Sequence, residues 1–186
     1  MPSSLTWQHN LKKTESSFFN VDKQETTPRN KEWLEERFNQ IWSLFFSDEE
    51  KKDVSIRWKG RWKNKFGHIT RKKGRAEIAI NALFQDLRVP EDIIKLTIAH
   101  EIVHYMHGFH SHLPRKFSHP HKGGIVDKEL IRRGFGYAVK KEKEWIKTDW
   151  SPIYKSLMPH KTRRPQPRRQ FTLFSFLRSR VREEEP

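Results

Sequence analysis

Apolar side chains recur at helical spacing in the segment that follows Asn30. They fall at i, i+4, i+7, i+8 and i+11, which puts them on one face of a helix. The residues of this stripe are Leu34, Phe38, Ile41, Trp42 and Phe45. The pattern predicts a helix over residues 31–46, which ends where charged residues follow Ser47.

Two shorter segments alternate between apolar and polar residues. The apolar positions are Val54, Ile56 and Trp58 in the first, and Ala76, Ile78 and Ile80 in the second. A period of two residues is typical of a strand with one buried face. Glycines at 60, 67 and 74 punctuate this stretch, so we predict two or three antiparallel strands.

Helical signals return after the strands. Pro90 opens a predicted helix over 90–107, with Glu91 and Asp92 in the first turn, where the helix dipole favours acids. Isoleucines at 94, 98 and 102 mark its buried face, and Gly108 is a natural stop. Residues 108–123 read as a turn-rich loop. We predict further helices over 124–133 and over 137–157, the latter mostly exposed and interrupted at Pro152.

Length and charge limit the class of protein. The 186 residues suit one α+β domain, with 34% hydrophobic residues for its core. We expect a flexible lead-in over 1–29, a folded domain over 30–158 and a basic, disordered tail over 159–186. The net charge is +15, and no apolar run suggests a signal peptide or a membrane span, so we expect a cytoplasmic protein without a membrane partner. Cysteine is absent, so any metal must be held by His, Asp or Glu.

One motif on the 90–107 helix carries candidate chemistry. His100-Glu101-Ile102-Val103-His104 matches H-E-x-x-H, in which both imidazoles project from the same helix face and can bind one Zn²⁺. The carboxylate of Glu101 can reach a water in the open fourth position and take its proton. The motif therefore predicts a zinc site with a general base beside it.

The spacing alone leaves the third ligand open. His110 stands six residues after His104, as in the metzincin pattern H-E-x-x-H-x-x-G-x-x-H, but His107 occupies the place of the glycine. His119 and His121 lie in a loop long enough to fold back over the motif, and Glu129 is the carboxylate option. The histidines at 107, 110 and 112 also suit a solvated cluster without a metal.

Residues 34–134 resemble the SprT-like zinc metallopeptidases, which include the bacterial SprT proteins and the eukaryotic protease Spartan. The resemblance lies in the order of the parts: Phe38-Asn39 with Trp42 in the first helix, the strands VSIRW and EIAIN, and then LTIAHEIVH. It departs from the family at Ile125, where an aromatic residue is usual, and at Lys122, where glycine is usual. A cysteine-based zinc ribbon, which many relatives have, is missing.

The resemblance implies a zincin-like minimal metalloprotease domain that hydrolyses peptide bonds in proteins. It implies that His100, His104 and His121 are the zinc ligands and that Glu101 is the general base. In zinc peptidases generally, the strand before the active-site helix offers an edge to an extended peptide. We therefore expect residues 76–81 to pair with the substrate main chain.

Basic residues suggest nucleic acid as a second partner. They cluster in segment 57–75, where Trp58 and Trp62 are interspersed, and in segment 161–169. We expect Trp58 to face the core, whereas the position of Trp62 stays open. The alternative to a peptidase acting near nucleic acid is a nucleic-acid-binding protein with a structural or inactive zinc site; a second is a metzincin-like peptidase that uses His110. The sequence does not indicate the oligomeric state.

Overall fold

The structure is a computed structural model and describes residues 27–158. The predicted tail and nearly all of the predicted lead-in lie outside these residues. Arg29, which we had placed in the lead-in, is buried and donates hydrogen bonds to the carbonyl oxygens of Phe84, Asp86 and Val89 at 2.8–2.9 Å. It therefore takes part in the folded domain.

The architecture is α+β, as predicted. Its helices and strands, in chain order, are α1 (Lys31–Phe45), β1 (Val54–Lys59), β2 (Gly67–Lys72), β3 (Arg75–Asn81), α2 (Glu91–Met106), α3 (Ile125–Arg132), α4 (Gly136–Trp145) and α5 (Ser151–Leu157). Short 3₁₀ turns cover Ala82–Gln85 and Lys122–Gly124, and a π-helical turn covers Ile146–Trp150. None of the helices between residues 27 and 158 is both long and apolar enough to cross a lipid bilayer.

The sheet is mixed, which corrects the prediction of an antiparallel one. β3 is the central strand; it pairs in parallel with β1 and antiparallel with β2. β2 and β3 form a hairpin whose two turn residues, Lys73 and Gly74, both have positive φ, the geometry that suits a tight hairpin. Both edges of β3 are thus occupied, so the expectation that residues 76–81 present a free edge is wrong. Among the described residues the free edges belong to β1 and β2.

The core lies between the inner face of the sheet and the helices. α2 is buried along most of its length and packs against α1, β2, β3, α3 and α4. Trp58 turns towards this core and stacks on Trp33, as predicted, and its indole donates to the carbonyl oxygen of Asn30.

The last helices are mostly exposed, as predicted, but two of their tryptophans are not. Trp145 and Trp150 are both buried and join Phe66 and Phe84 in an aromatic cluster. Pro152 does not interrupt the helix, because it occupies the first turn of α5, where proline needs no amide hydrogen. The irregularity lies just before it, in the π-helical turn.

Candidate metal centre

The H-E-x-x-H residues lie in the C-terminal half of α2. His100 and His104 are one helical turn apart on the same face, and their Nε2 atoms lie 3.1 Å from each other. The apices of a tetrahedron with metal–nitrogen bonds of about 2.0–2.1 Å are about 3.3 Å apart. The two imidazoles therefore have the spacing of two ligands of one ion.

The loop after α2 brings a third histidine to the same point. The ring of His121 lies 5.5 Å from that of His100 and 4.7 Å from that of His104, measured between centroids. One nitrogen of each imidazole lies within 4.8 Å of the others. His100, His104 and His121 thus form a group of side chains that lie close enough together, within residues 27–158, to hold a metal ion.

The loop returns because of a sharp turn at Gly108. This residue has φ +78°, and a β-carbon there would lie only 2.4 Å from the carbonyl oxygen of Pro114. Phe109 follows; its amide donates to the carbonyl oxygen of His104, and its buried ring packs against the imidazole of His104. A glycine at 108 thus allows the chain to fold back over the end of α2.

The other candidate ligands lie elsewhere. Glu129 is paired with Arg132 and Arg133, and His119 is not part of the cluster. The ring of His107 packs on Phe117, and Nδ1 of His112 lies 3.2 Å from the hydroxyl of Tyr105. His110 borders the cleft beside the three histidines but is not one of the clustered ligands.

The electrostatics of the histidines suit metal binding. Burial, together with the other histidines, lowers the pKa of His100 to about 4 and that of His104 to about 3. Both imidazoles are therefore neutral at pH 7, and neutral imidazole is the form that binds a metal. The three imidazoles, their spacing and the neutral form of His100 and His104 all fit Zn²⁺.

Glu101 lies beside the histidines at a point where two clefts meet. Its side chain is buried, at 4% exposure, and accepts no hydrogen bond and forms no ion pair within residues 27–158. Burial raises the pKa of Glu101 to about 8, and the nearby Lys65 opposes this shift. An opposite charge within about 4–6 Å favours the ionised carboxylate, so a cation bound at the histidines would favour it.

Gly67, the first residue of β2, lets Glu101 approach the sheet. A β-carbon at position 67 would lie 2.8 Å from Oε1 of Glu101 and 2.9 Å from Cγ2 of Thr97. A side chain at position 67 would therefore have to displace the carboxylate of Glu101 or the methyl group of Thr97. In the sequence, Gly67 marked only a boundary between strands, and no residues could be assigned to β2 because Ile69 is the one buried residue of that strand.

Two clefts share His100 and Glu101 in their lining. One has a volume of about 360 Å³ and runs between the start of β2 and the loop 109–121. The other has a volume of about 510 Å³ and is lined on its far side by Asp127, Glu142, Ile146 and Trp150. The loop 64–67 borders both clefts. Together they form a groove that passes over the three histidines and Glu101.

Asn81 holds the loop that borders both clefts. Its side chain is fully buried and donates to the carbonyl oxygens of Trp62 and Lys65, at 2.7 and 3.1 Å. Oδ1 of the same side chain accepts hydrogen bonds from the main-chain amides of Trp62 and Leu83. Trp62 itself is half-buried outside the core, with its ring edge-on to that of His68.

Comparison with known families agrees with this arrangement. Residues 34–124 match the model of the SprT-like family. The chain carries a SprT-like domain. No curated protein and no solved structure matches the chain in the corresponding comparisons.

The match begins in α1 and ends just after His121, so the SprT-like domain includes the sheet, α2 and the histidine cluster. α3, α4, the π-helical turn and α5 lie beyond it. The side chains of Asp127, Glu142, Ile146 and Trp150, which line the larger cleft, therefore come from outside the matched segment. These four residues are scattered along helices without a motif, so the sequence alone indicates no functional role for them.

Proposed function

We propose that the protein is a zinc-dependent endopeptidase with a zincin-like active site. One observation carries this proposal: a buried carboxylate, that of Glu101, borders the groove directly beside three clustered imidazoles. A structural zinc site normally closes all four positions with protein ligands and needs no free carboxylate. Membership of the SprT-like family supports the same reading.

His100, His104 and His121 are the residues that would hold the zinc ion. Zinc at such a site supplies a Lewis acid for a carbonyl oxygen and lowers the pKa of water. Glu101 takes a proton from the attacking water and later delivers it to the leaving amine. Its burial between Gly67 and Thr97 holds the carboxylate at the groove, where the peptide bond has to lie.

β2 is the strand that the substrate main chain would join. It has one partner among the described residues, β3, and its first residues Gly67, His68 and Ile69 line the smaller cleft. A peptide in extended conformation can add to such a free edge through main-chain hydrogen bonds. Pairing at β2 carries the peptide past Glu101, which the central strand β3 could not do.

Glu101→Gln tests the proposal, because glutamine keeps the shape of the side chain but cannot accept a proton. We expect the variant to retain stoichiometric zinc and to lose cleavage of an unfolded protein substrate by at least about a hundredfold. Zinc content by elemental analysis and cleavage by gel electrophoresis would be measured on the same preparation. Undiminished cleavage by the variant would exclude Glu101 as the base.

A second candidate function is nucleic-acid binding, favoured by the outer face of the sheet. Arg57, Lys59 and Lys72 surround a single acid, Glu77, at 2.9–3.8 Å. Ala79 lies between Arg57 and His68 in the strand register, so the middle of this face carries only a small side chain. We propose that this basic face attracts the phosphates of a nucleic acid that lies close to the protein substrate.

A further inference from the structure

The larger cleft combines apolar walls with two carboxyl groups at one side. Phe66 and Trp150 belong to the aromatic cluster, and Ile146 is 39% exposed at the cleft. The indole of Trp150 donates to the carbonyl oxygen of Lys63 at 2.7 Å, which fixes the ring in place. The π-helical turn brings Ile146 and Trp150, at its two ends, to the same cleft; such turns are frequent at functional sites.

The carboxyl groups are those of Asp127, on α3, and Glu142, on α4. Asp127 is paired with Lys143 at 3.0 Å. Glu142 is partly buried and forms no ion pair or hydrogen bond within residues 27–158, although Lys63 and Lys65 border the same cleft. Burial and the like charge of Asp127 raise the pKa of Glu142 to about 7. A partly buried carboxylate without a hydrogen-bond or ion-pair partner is costly, and a cation would relieve this cost.

The geometry indicates what kind of cation fits. In the described part of the chain, Asp127 and Glu142 do not belong to a group of three or more His, Asp or Glu side chains that could hold a metal ion. The apolar walls suit a hydrocarbon stem, and the two carboxyl groups suit a charged end. Lysine and arginine have this form, since their stems pack on apolar surfaces while their charged ends stay with polar partners. Indole rings also attract such cations.

The position of the cleft connects it to the chemistry. His100 and the buried, unpaired carboxylate of Glu101 line the same cleft as Glu142. We propose that this cleft is a specificity pocket that takes a lysine or arginine side chain of the substrate next to the bond that is cleaved. This inference rests on the proposed peptidase function, and it assigns the choice of side chain to Glu142, with Asp127 in support.

Matched peptides test the pocket in the holoenzyme. Cleavage sites in an unfolded protein, mapped by mass spectrometry, should show lysine or arginine at one fixed position beside the cut. A peptide with lysine at that position should then be compared with one that carries norleucine, which has a similar stem and no charge. We expect kcat/KM to be about tenfold or more higher for the lysine peptide.

Three substitutions on one helix separate the role of Glu142 from a general effect of charge. Glu142→Gln should reduce the lysine-to-norleucine ratio of kcat/KM about tenfold. Glu144→Gln removes the same charge from an exposed position of α4 and should leave the ratio unchanged. Glu142→Lys should favour a peptide with glutamate at the same position. An unchanged ratio in a Glu142→Gln variant that still cleaves would overturn the proposal.

A binding measurement separates failure of the pocket from failure of the proposed function. Wild-type protein that cleaves no more than Glu101→Gln would refute the peptidase function but not the pocket. Fluorescence anisotropy with the two labelled peptides on the Glu101→Gln variant requires no cleavage. Tighter binding of the lysine peptide, lost in a Glu101→Gln/Glu142→Gln double variant, supports the pocket. Equal binding of both peptides refutes it.

Discussion

At the scale of single residues, the site depends on how a few side chains approach one another. His100 and His104 could be predicted as a pair, because positions i and i+4 of any helix face the same way. The contribution of His121 could not be read from spacing, since it depends on the turn at Gly108 that folds the loop back. The resemblance to the SprT-like family indicated His121, and the structure brings it to the other two imidazoles.

Removal of the third histidine gives a prediction at this scale. Loss of a residue that only hydrogen-bonds to a metal ligand typically weakens metal binding by about 10–100-fold. We expect His121→Ala to weaken zinc binding by more than this, because a direct ligand is lost. His110→Ala and His119→Ala are matched controls from the same loop and should retain their zinc. Competition with a chromophoric chelator would measure the affinities.

The opposite result would also be informative. Loss of zinc in His110→Ala, with zinc retained in His121→Ala, would contradict the assignment and favour the metzincin-like arrangement.

At the scale of helices and strands, the sequence predicts those elements that have a clear pattern of apolar residues or clear end signals. α1 and α2 lie within a residue or two of their predicted ends, because α1 carries a long apolar stripe and α2 is bounded by Pro90 and Gly108. β2 carries one buried apolar residue, which is too little for a periodic signal. Pairing of β1 with β3 was also beyond prediction, since alternation shows which face of a strand is buried but not which strand lies next to it.

Asn81 shows how one strand end shapes the site, and it carries a prediction. We expect Asn81→Ala to lower the free energy of unfolding by about 1–3 kcal/mol, because main-chain groups of Trp62, Lys65 and Leu83 lose their partner. Urea denaturation would measure the change. We also expect faster hydrogen exchange of the amides over 62–65.

Asn39→Ala is a suitable control for this variant. Asn39 is exposed on α1, away from the groove, so its replacement should change stability by about 0.5 kcal/mol or less. A similar loss of stability in both variants would show that Asn81 has no special role in holding the loop.

At the scale of the whole molecule, the excess of positive charge is the dominant property. The net charge of +15 attracts polyanions without regard to sequence, and the outer face of the sheet concentrates part of it around Glu77. We expect DNA binding to weaken steeply with salt. On duplex DNA, each phosphate contact adds about −0.9 to the slope of the logarithm of the binding constant against the logarithm of the salt concentration.

Charge reversal locates the contact. Arg57→Glu combined with Lys72→Glu should reduce the affinity for DNA at low salt. It should also make the slope of log K against log salt shallower by the contribution of about two phosphate contacts. Lys31→Glu combined with Lys140→Glu makes the same change of net charge on exposed helix positions away from the sheet. Equal effects of the two pairs, measured by anisotropy titrations at several salt concentrations, would refute a specific role for the sheet face.

The free edge of β2 has a consequence for the choice of target. Strand addition uses main-chain amide and carbonyl groups, which are common to nearly all residues. It therefore depends first on whether the target backbone is free to form hydrogen bonds, and only then on the side chains. A well-folded protein has already committed these groups to its own helices and sheets. Targets in which a stretch of backbone has come loose, through damage, unfolding or natural disorder, would therefore be degraded first, and intact neighbours would be spared.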